Sequence, residues 1–83
     1  MATETIDDRE IIGHNIRRIR EGQGFSVDQV LARTGLNIAR GYWYEIERGE
    51  VNVTIDQLTR IAEALGVTVR DFFERKFWRG RRR

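Results

Sequence analysis

The stretch that decides the fold is residues 26–49, SVDQVLARTGLNIARGYWYEIERG. Its first half predicts a short helix. Ser26 followed by Gln29 is a capping-box pair, in which each side chain bonds the other residue's backbone N–H and sets a helix start. Val27, Val30 and Leu31 then form an apolar stripe at helical spacing. Gly35 and Asn37 break the pattern, and both residue types tolerate the left-handed backbone of a sharp turn. A second helix is expected over residues 39–48. Trp43 and Ile46, three residues apart, face inward, and Gly49 is a natural stop.

Working outward, Ile12, Ile16 and Ile19 fall at spacings of four and three and make one face of a helix over residues 9–21. Arg17, Arg18 and Arg20 lie on or beside the other face. Gly22, Gln23 and Gly24 end this helix, and Phe25 is placed to staple the next one by packing on Val30. His14 has no second ligand candidate nearby and reads as an exposed polar residue. Beyond the central stretch, residues 50–53 form an extended connection. Thr54 with Gln57 is a second capping box. Ile55, Leu58, Ile61, Ala62 and Leu65 make a strongly amphipathic helix closed by Gly66. Thr68 can cap a last short helix over residues 69–73, with Phe72 and Phe73 as packing residues. Nothing breaks that helix before Gly80, so it can run on into the tail.

Eighty-three residues make one domain with a small core, which favours a helical bundle. The chain has no proline, which suits helices, and no cysteine, which removes disulfides and thiolate zinc sites. A single histidine leaves no multi-histidine metal site. No cofactor is expected, nor an enzyme: there is no Gly-rich phosphate loop and no paired carboxylate in an evident pocket. No run reaches the length of a membrane span and the acidic N-terminus is not a signal peptide, so no membrane partner and a cytoplasmic location are expected. Residues 1–10 carry four acids against one base, a net of −3. Residues 70–83 carry seven bases against two acids, a net of +5. Such a basic end points to a polyanion partner, or is simply a solvated tail. The chain therefore divides into a flexible acidic segment (1–8), a helical domain (9–74) and a basic aromatic tail (75–83).

Two helices crossing around a tight turn are the smallest unit that places a helix in the DNA major groove. Here the chain resembles the phage-repressor type of helix-turn-helix regulator, the Cro/repressor or xenobiotic-response-element family. The resemblance lies in Ile12-Gly13 with Ile16, Arg17, Ile19 and Arg20; in residues 26–35; in Glu45-Ile46-Glu47-Arg48-Gly49; in Thr54-Ile55 with Leu58, Ile61, Ala62 and Ala64 to Val67; and in Arg70-Asp71-Phe72-Phe73. It implies an all-α, compact five-helix repressor-type domain that binds duplex DNA sequence-specifically, as a homodimer on a two-fold symmetric operator, and so acts as a repressor or operon controller. The run from Asn52 to Ile55 is most like the controllers of restriction–modification operons. Two departures stand out. Leu31 occupies a place where the family usually has a small alanine, and the interval from Gly35 to Glu47 is longer than usual. Either the turn bulges, or Asn37 takes the left-handed position instead of Gly35.

Counting back from Glu47, Trp43 and Ile46 are core, and the outward face of the second helix holds Ala39, Arg40, Gly41, Tyr42 and Glu45. Arg40 is the first candidate for a base contact, because its planar fork can donate twice to guanine O6 and N7; a phosphate contact is the alternative. Tyr42 can pack on a thymine methyl or donate to a phosphate, and Glu45 can accept from cytosine N4. Gly41 either allows close approach to the DNA backbone or belongs to a longer loop. Tyr44, Arg48, Asn52, Thr54 and Gln29 are phosphate-contact candidates. The resemblance implies a structural ion pair between Arg20 and Glu47. Val67, Val69, Phe72, Phe73, Phe77 and Trp78 are the expected dimer surface, since so many apolar residues exceed what a small core needs; alternatively, Phe72 and Phe73 close the core. The rival to DNA reading is a helix-turn-helix protein-interaction module, or an antitoxin-like partner with little specific DNA binding.

Overall fold

Capping chemistry sets the element boundaries. In a computed structural model that describes residues 8–76, the order is α1 (Asp8–Gly22), α2 (Val27–Thr34), α3 (Arg40–Arg48), α4 (Ile55–Leu65) and a closing 3₁₀ helix (Val69–Phe73). Both capping boxes form. The Ser26 hydroxyl accepts from Gln29 N–H at 3.1 Å while Gln29 Oε1 accepts from Ser26 N–H at 2.8 Å. Thr54 and Gln57 repeat the arrangement, with both bonds at 3.1 Å. Thr68 N–H and its hydroxyl both donate to the Asp71 carboxylate, at 2.9 and 3.1 Å, and start the 3₁₀ helix.

The fold is all-helical among the described residues, but the fifth element is a single 3₁₀ helix and not an α-helix. It does not run on into the tail. Glu74 is extended (φ −70°, ψ 126°), because the fully buried Asn15 amide donates to Phe72 O at 2.9 Å and Glu74 O at 2.6 Å. Those bonds pull the chain off its helical path and dock it on α1. Helix α1 begins at Asp8, one residue inside the segment expected to be flexible. Phe77, Trp78 and the arginines of 79–83 lie outside the described residues, as do residues 1–7.

The turn between α2 and α3 uses Gly35 in the left-handed region (φ 70°), and no described non-glycine residue has positive φ. Asn37 therefore does not take that position. The longer interval is absorbed as non-helical chain over residues 36–39. Thr34 staples the turn: its hydroxyl donates to Leu31 O at 2.9 Å and accepts from Leu36 N–H at 3.0 Å. Leu31, Leu36 and Ile38 are half-buried against the core, so the larger side chain at 31 is accommodated beside the turn.

Helix α1 packs against α3 and the 3₁₀ helix, while α2 packs against α4 and α3. The core comprises Ile12, Ile16, Val27, Val30, Trp43, Ile46, Leu58, Ile61, Ala62, Ala64, Leu65 and Phe72. Each large side chain here contributes about 1.5–3 kcal/mol from burial. The buried face of α1 is Ile11, Ile12, Asn15 and Ile16, with Ile19 only half-buried. Ile55 was expected in the core stripe of α4 but is 70% exposed, because it is the helix's first residue and precedes the packed turns. Phe72 is fully buried in the chain's own core and offers no surface to a partner; Phe73 is 43% exposed.

Close approach of α1 to the end of α3 requires two glycines. A Cβ on Gly13 would stand 2.3 Å from Ile46 O and 2.7 Å from Glu47 O, and one on Gly49 (φ 77°) would stand 2.8 Å from Glu10 Cα. Two side chains finish α4: Arg33 Nε donates to Ala64 O at 2.9 Å and Gln23 Nε2 to Leu65 O at 2.7 Å, pairing carbonyls that a helix end leaves open. Arg33 also lies over the Phe25 ring, 4.8 Å from its centroid.

Candidate nucleic-acid interface

The back of α3 is locked. Trp43 is fully buried and its indole N–H donates to Glu47 Oε2 at 2.6 Å. The same carboxylate receives Arg20 Nε at 2.7 Å and Nη2 at 3.2 Å, while Arg20 Nη1 donates to Phe25 O at 2.8 Å. The hydrogen bond to Glu47 holds the Arg20 guanidinium above its ordinary pKa, against the opposing effect of burial. The ion pair between α1 and α3 implied by the family resemblance is therefore present, and Trp43 joins it from within α3. No buried side-chain polar atom among the described residues lacks a partner.

The front of α3 is open. Arg40, Gly41, Tyr44 and Arg48 are exposed on one side of the helix. Gly41 is inside α3 and a Cβ there would meet nothing within 4 Å, so neither protein packing nor a loop accounts for it. Ala39 is the exposed N-cap and supplies no side-chain bond to the helix start. Such an end leaves backbone N–H groups for an anion or water. Tyr42 and Glu45 are half-buried, and Tyr42 packs against the core, so it is less outward-facing than its spacing suggested.

The cations at this face are paired in the free chain. Arg40 donates from Nε to Asp28 Oδ1 at 3.1 Å and from Nη2 to Asp28 Oδ2 at 2.5 Å, which raises its pKa. That bond places the start of α2, with Gln29, beside the start of α3. Arg48 is held by Glu50, with Nε–Oε2 2.9 Å; the pair raises the Arg48 pKa and lowers that of Glu50. Tyr44 and Arg48 line a shallow depression with Arg17, Arg20, Glu21 and Glu47. Gln29 and Thr54 are exposed but already occupied in capping. Asn52 is exposed on the connection to α4. Sequence reasoning missed Asp28, whose signal was an acid one residue before a candidate contact, at a helix start where its charge favours the helix by itself.

Among the described residues, no group of three or more His, Asp or Glu side chains can hold a metal ion, and no helix is long and apolar enough to cross a membrane.

A tight glycine turn, a second helix anchored through Trp43, Ile46 and Glu47, and a bare face on that helix define a helix-turn-helix domain of the phage-repressor type. The chain belongs to this family: the family model described as "Helix-turn-helix domain" matches residues 11–72. It is 36% identical over 63 residues to the uncharacterized HTH-type transcriptional regulator y4dJ of Sinorhizobium fredii, covering 76% of this chain and 79% of that protein. It is 33% identical over 66 residues to the control protein C.BamHI of Bacillus amyloliquefaciens, covering 80% of each. Among solved structures it is similar to the restriction-modification controller protein C.AhdI from Aeromonas hydrophila, with a TM-score of 0.73 and 29% identity, covering 82% of this chain and all of that one.

Proposed function

We propose that this chain is a sequence-specific transcriptional regulator that binds a two-fold symmetric duplex operator as a homodimer, in the manner of an operon controller. The observation that carries this reading is the asymmetry of α3: its back is fixed by the Trp43–Glu47–Arg20 cluster while Arg40, Gly41 and Tyr44 stand exposed at its first turns. Only the first turns of such a helix reach base edges. In this reading Arg40 contacts a guanine. Gly41 and the uncapped start at Ala39 come close to the DNA, and Tyr42 and Glu45 flank them. Tyr44, Arg48, Gln29, Asn52 and Thr54 meet the phosphates on either side. Val67, Val69 and Phe73 contribute to the subunit contact, with Phe72 supporting them from inside. The similarity to C.BamHI and C.AhdI favours the controller role.

The test is selection from a random duplex pool, with affinity followed against salt. A two-fold symmetric site is expected, with log affinity falling by about 0.9 per phosphate contact for each log unit of salt. Binding without enrichment would reduce the interaction to charge alone, and no binding would favour the protein-interaction role.

A further inference from the structure

We propose that Asp28 is a positioning residue for Arg40: it grips one edge of the guanidinium and leaves the other edge aimed at a guanine. This rests on the DNA-reading role of α3 given above. A guanidinium carries five N–H donors in a planar fork. The two bonds to Asp28 use Nε and Nη2, which together form the side edge of that plane. Neither uses Nη1. The end edge, made of one Nη1–H and the second Nη2–H, is left as two parallel donors. Such a pair of parallel donors can match guanine O6 and N7. The carboxylate therefore orients the fork without consuming the donors that read the base.

The grip joins the first turns of two helices, since Asp28 is the second residue of α2 and Arg40 the first of α3. It also stands in solvent, with the Arg40 and Asp28 side chains 59% and 66% exposed. An exposed pair of this kind adds little to stability. What it removes is the freedom of a long side chain that must otherwise be ordered on binding, worth about 2- to 10-fold in affinity. Asp28 has an opposite effect on DNA in general. A carboxylate beside the phosphates weakens binding to any duplex. Positioning therefore predicts two changes of opposite sign when Asp28 is removed: poorer base discrimination and tighter unspecific binding. Loss of a helix-start acid that does not hold Arg40 would also tighten unspecific binding through its charge, and lower stability, but would leave base discrimination unchanged, so discrimination is the deciding readout.

The experiment uses the full chain, its selected duplex, and three further duplexes carrying each other base at the position that Arg40→Ala relaxes, together with a random duplex. Dissociation constants are measured at one salt concentration for wild type, Asp28→Ala, Asp28→Asn, Arg40→Ala and the Asp28→Ala/Arg40→Ala double variant. Asp28→Asn keeps a helix-start acceptor, in case the alanine weakens α2. The expected result is that both Asp28 variants lower the guanine preference about 2- to 10-fold and bind the random duplex more tightly. In the Arg40→Ala background, removing Asp28 should not change base preference. An unchanged or increased guanine preference in the Asp28 variants would overturn the proposal; an increase would make Asp28 a competitor that DNA must displace. If wild type selects a site but Arg40→Ala relaxes no position in it, the positioning role fails while sequence-specific binding stands. If wild type selects no site, both fail.

Discussion

Replacing Glu47 by alanine tests what holds α3 in place. Its carboxylate, 4% exposed, accepts from Arg20 Nε at 2.7 Å, from Arg20 Nη2 at 3.2 Å and from the Trp43 indole at 2.6 Å. The alanine leaves a buried guanidinium and a buried indole N–H without their acceptor. Removing one partner of a buried ion pair costs about 3–5 kcal/mol, and an orphaned buried donor costs about 1–3 kcal/mol. The two are not additive, because they share one carboxylate. Arg20 also keeps Phe25 O at 2.8 Å and has Glu21 within 3.8 Å, which can take part of the charge. These offsets put the expected loss near the lower figure, about 3 kcal/mol, or roughly 12–24 °C in Tm for a domain of this size. The assay is urea and thermal unfolding followed by circular dichroism. Glu47→Gln, which keeps an acceptor for the indole, should lose less, and DNA binding should fail in proportion to unfolding. A Glu47→Ala loss below about 1 kcal/mol, the range of an exposed pair, would refute the reasoning.

Other perturbations follow from the same contacts. Gly13→Ala should destabilise by about 1–3 kcal/mol or more, since its Cβ meets Ile46 O at 2.3 Å, whereas Gly41→Ala, in open helix, should stabilise by about 0.5–1 kcal/mol. Paired melting curves check the contrast, and a loss of DNA affinity in the more stable Gly41→Ala would mark close approach to the duplex. Asn15→Ala should cost about 1–3 kcal/mol by orphaning its bonds to Phe72 O and Glu74 O; hydrogen exchange should show faster opening over residues 72–76. The Arg48–Glu50 pair depresses the Glu50 pKa from 4.5, so its contribution is present above that value and is lost as pH falls through the lower folded value. A Glu50→Gln variant should therefore differ slightly from wild type near neutrality and converge with it in acid, as followed by thermal melts across pH.

Much of the fold could be read from local chemistry. The capping boxes at Ser26 and Thr54, the inward spacing of Trp43 and Ile46, and the stop at Gly49 depend on neighbours within a few residues, and all stand as expected. What was illegible depends on partners far along the chain. Asn15 reads as a polar interruption of an isoleucine face until Phe72 O and Glu74 O arrive from more than fifty residues away. That contact also explains why the last helix stops. Gln23 and Arg33 likewise look like ordinary surface residues, yet each donates to a carbonyl at the distant end of α4. Ile55 failed for the opposite reason. Periodicity assigns a face but cannot say where along a helix the packing begins.

The site shows the same division. Helical spacing puts Arg40 and Gly41 on the outward face with Ala39, Tyr42 and Glu45, and leaves Tyr44 and Arg48 as flanking phosphate candidates; in the structure Arg40, Gly41, Tyr44 and Arg48 share the exposed side of α3, while Tyr42 and Glu45 are half-buried. Their electrostatic state was hidden, because Asp28 and Glu50 pair with Arg40 and Arg48 only once the turns are folded. Tyr42 was placed by spacing on the outer face, but the neighbouring Trp43 draws that flank of α3 against the core.

The most direct test of base reading by α3 is a comparison of the duplex sites selected by wild type and by Arg40→Ala under identical salt. The expected result is one symmetric site in both cases, with guanine preference lost at a single position in each half-site and retained everywhere else. An Arg40→Ala site identical to the wild-type site, with affinity lowered evenly across all sequences, would make Arg40 a phosphate contact and contradict the assignment.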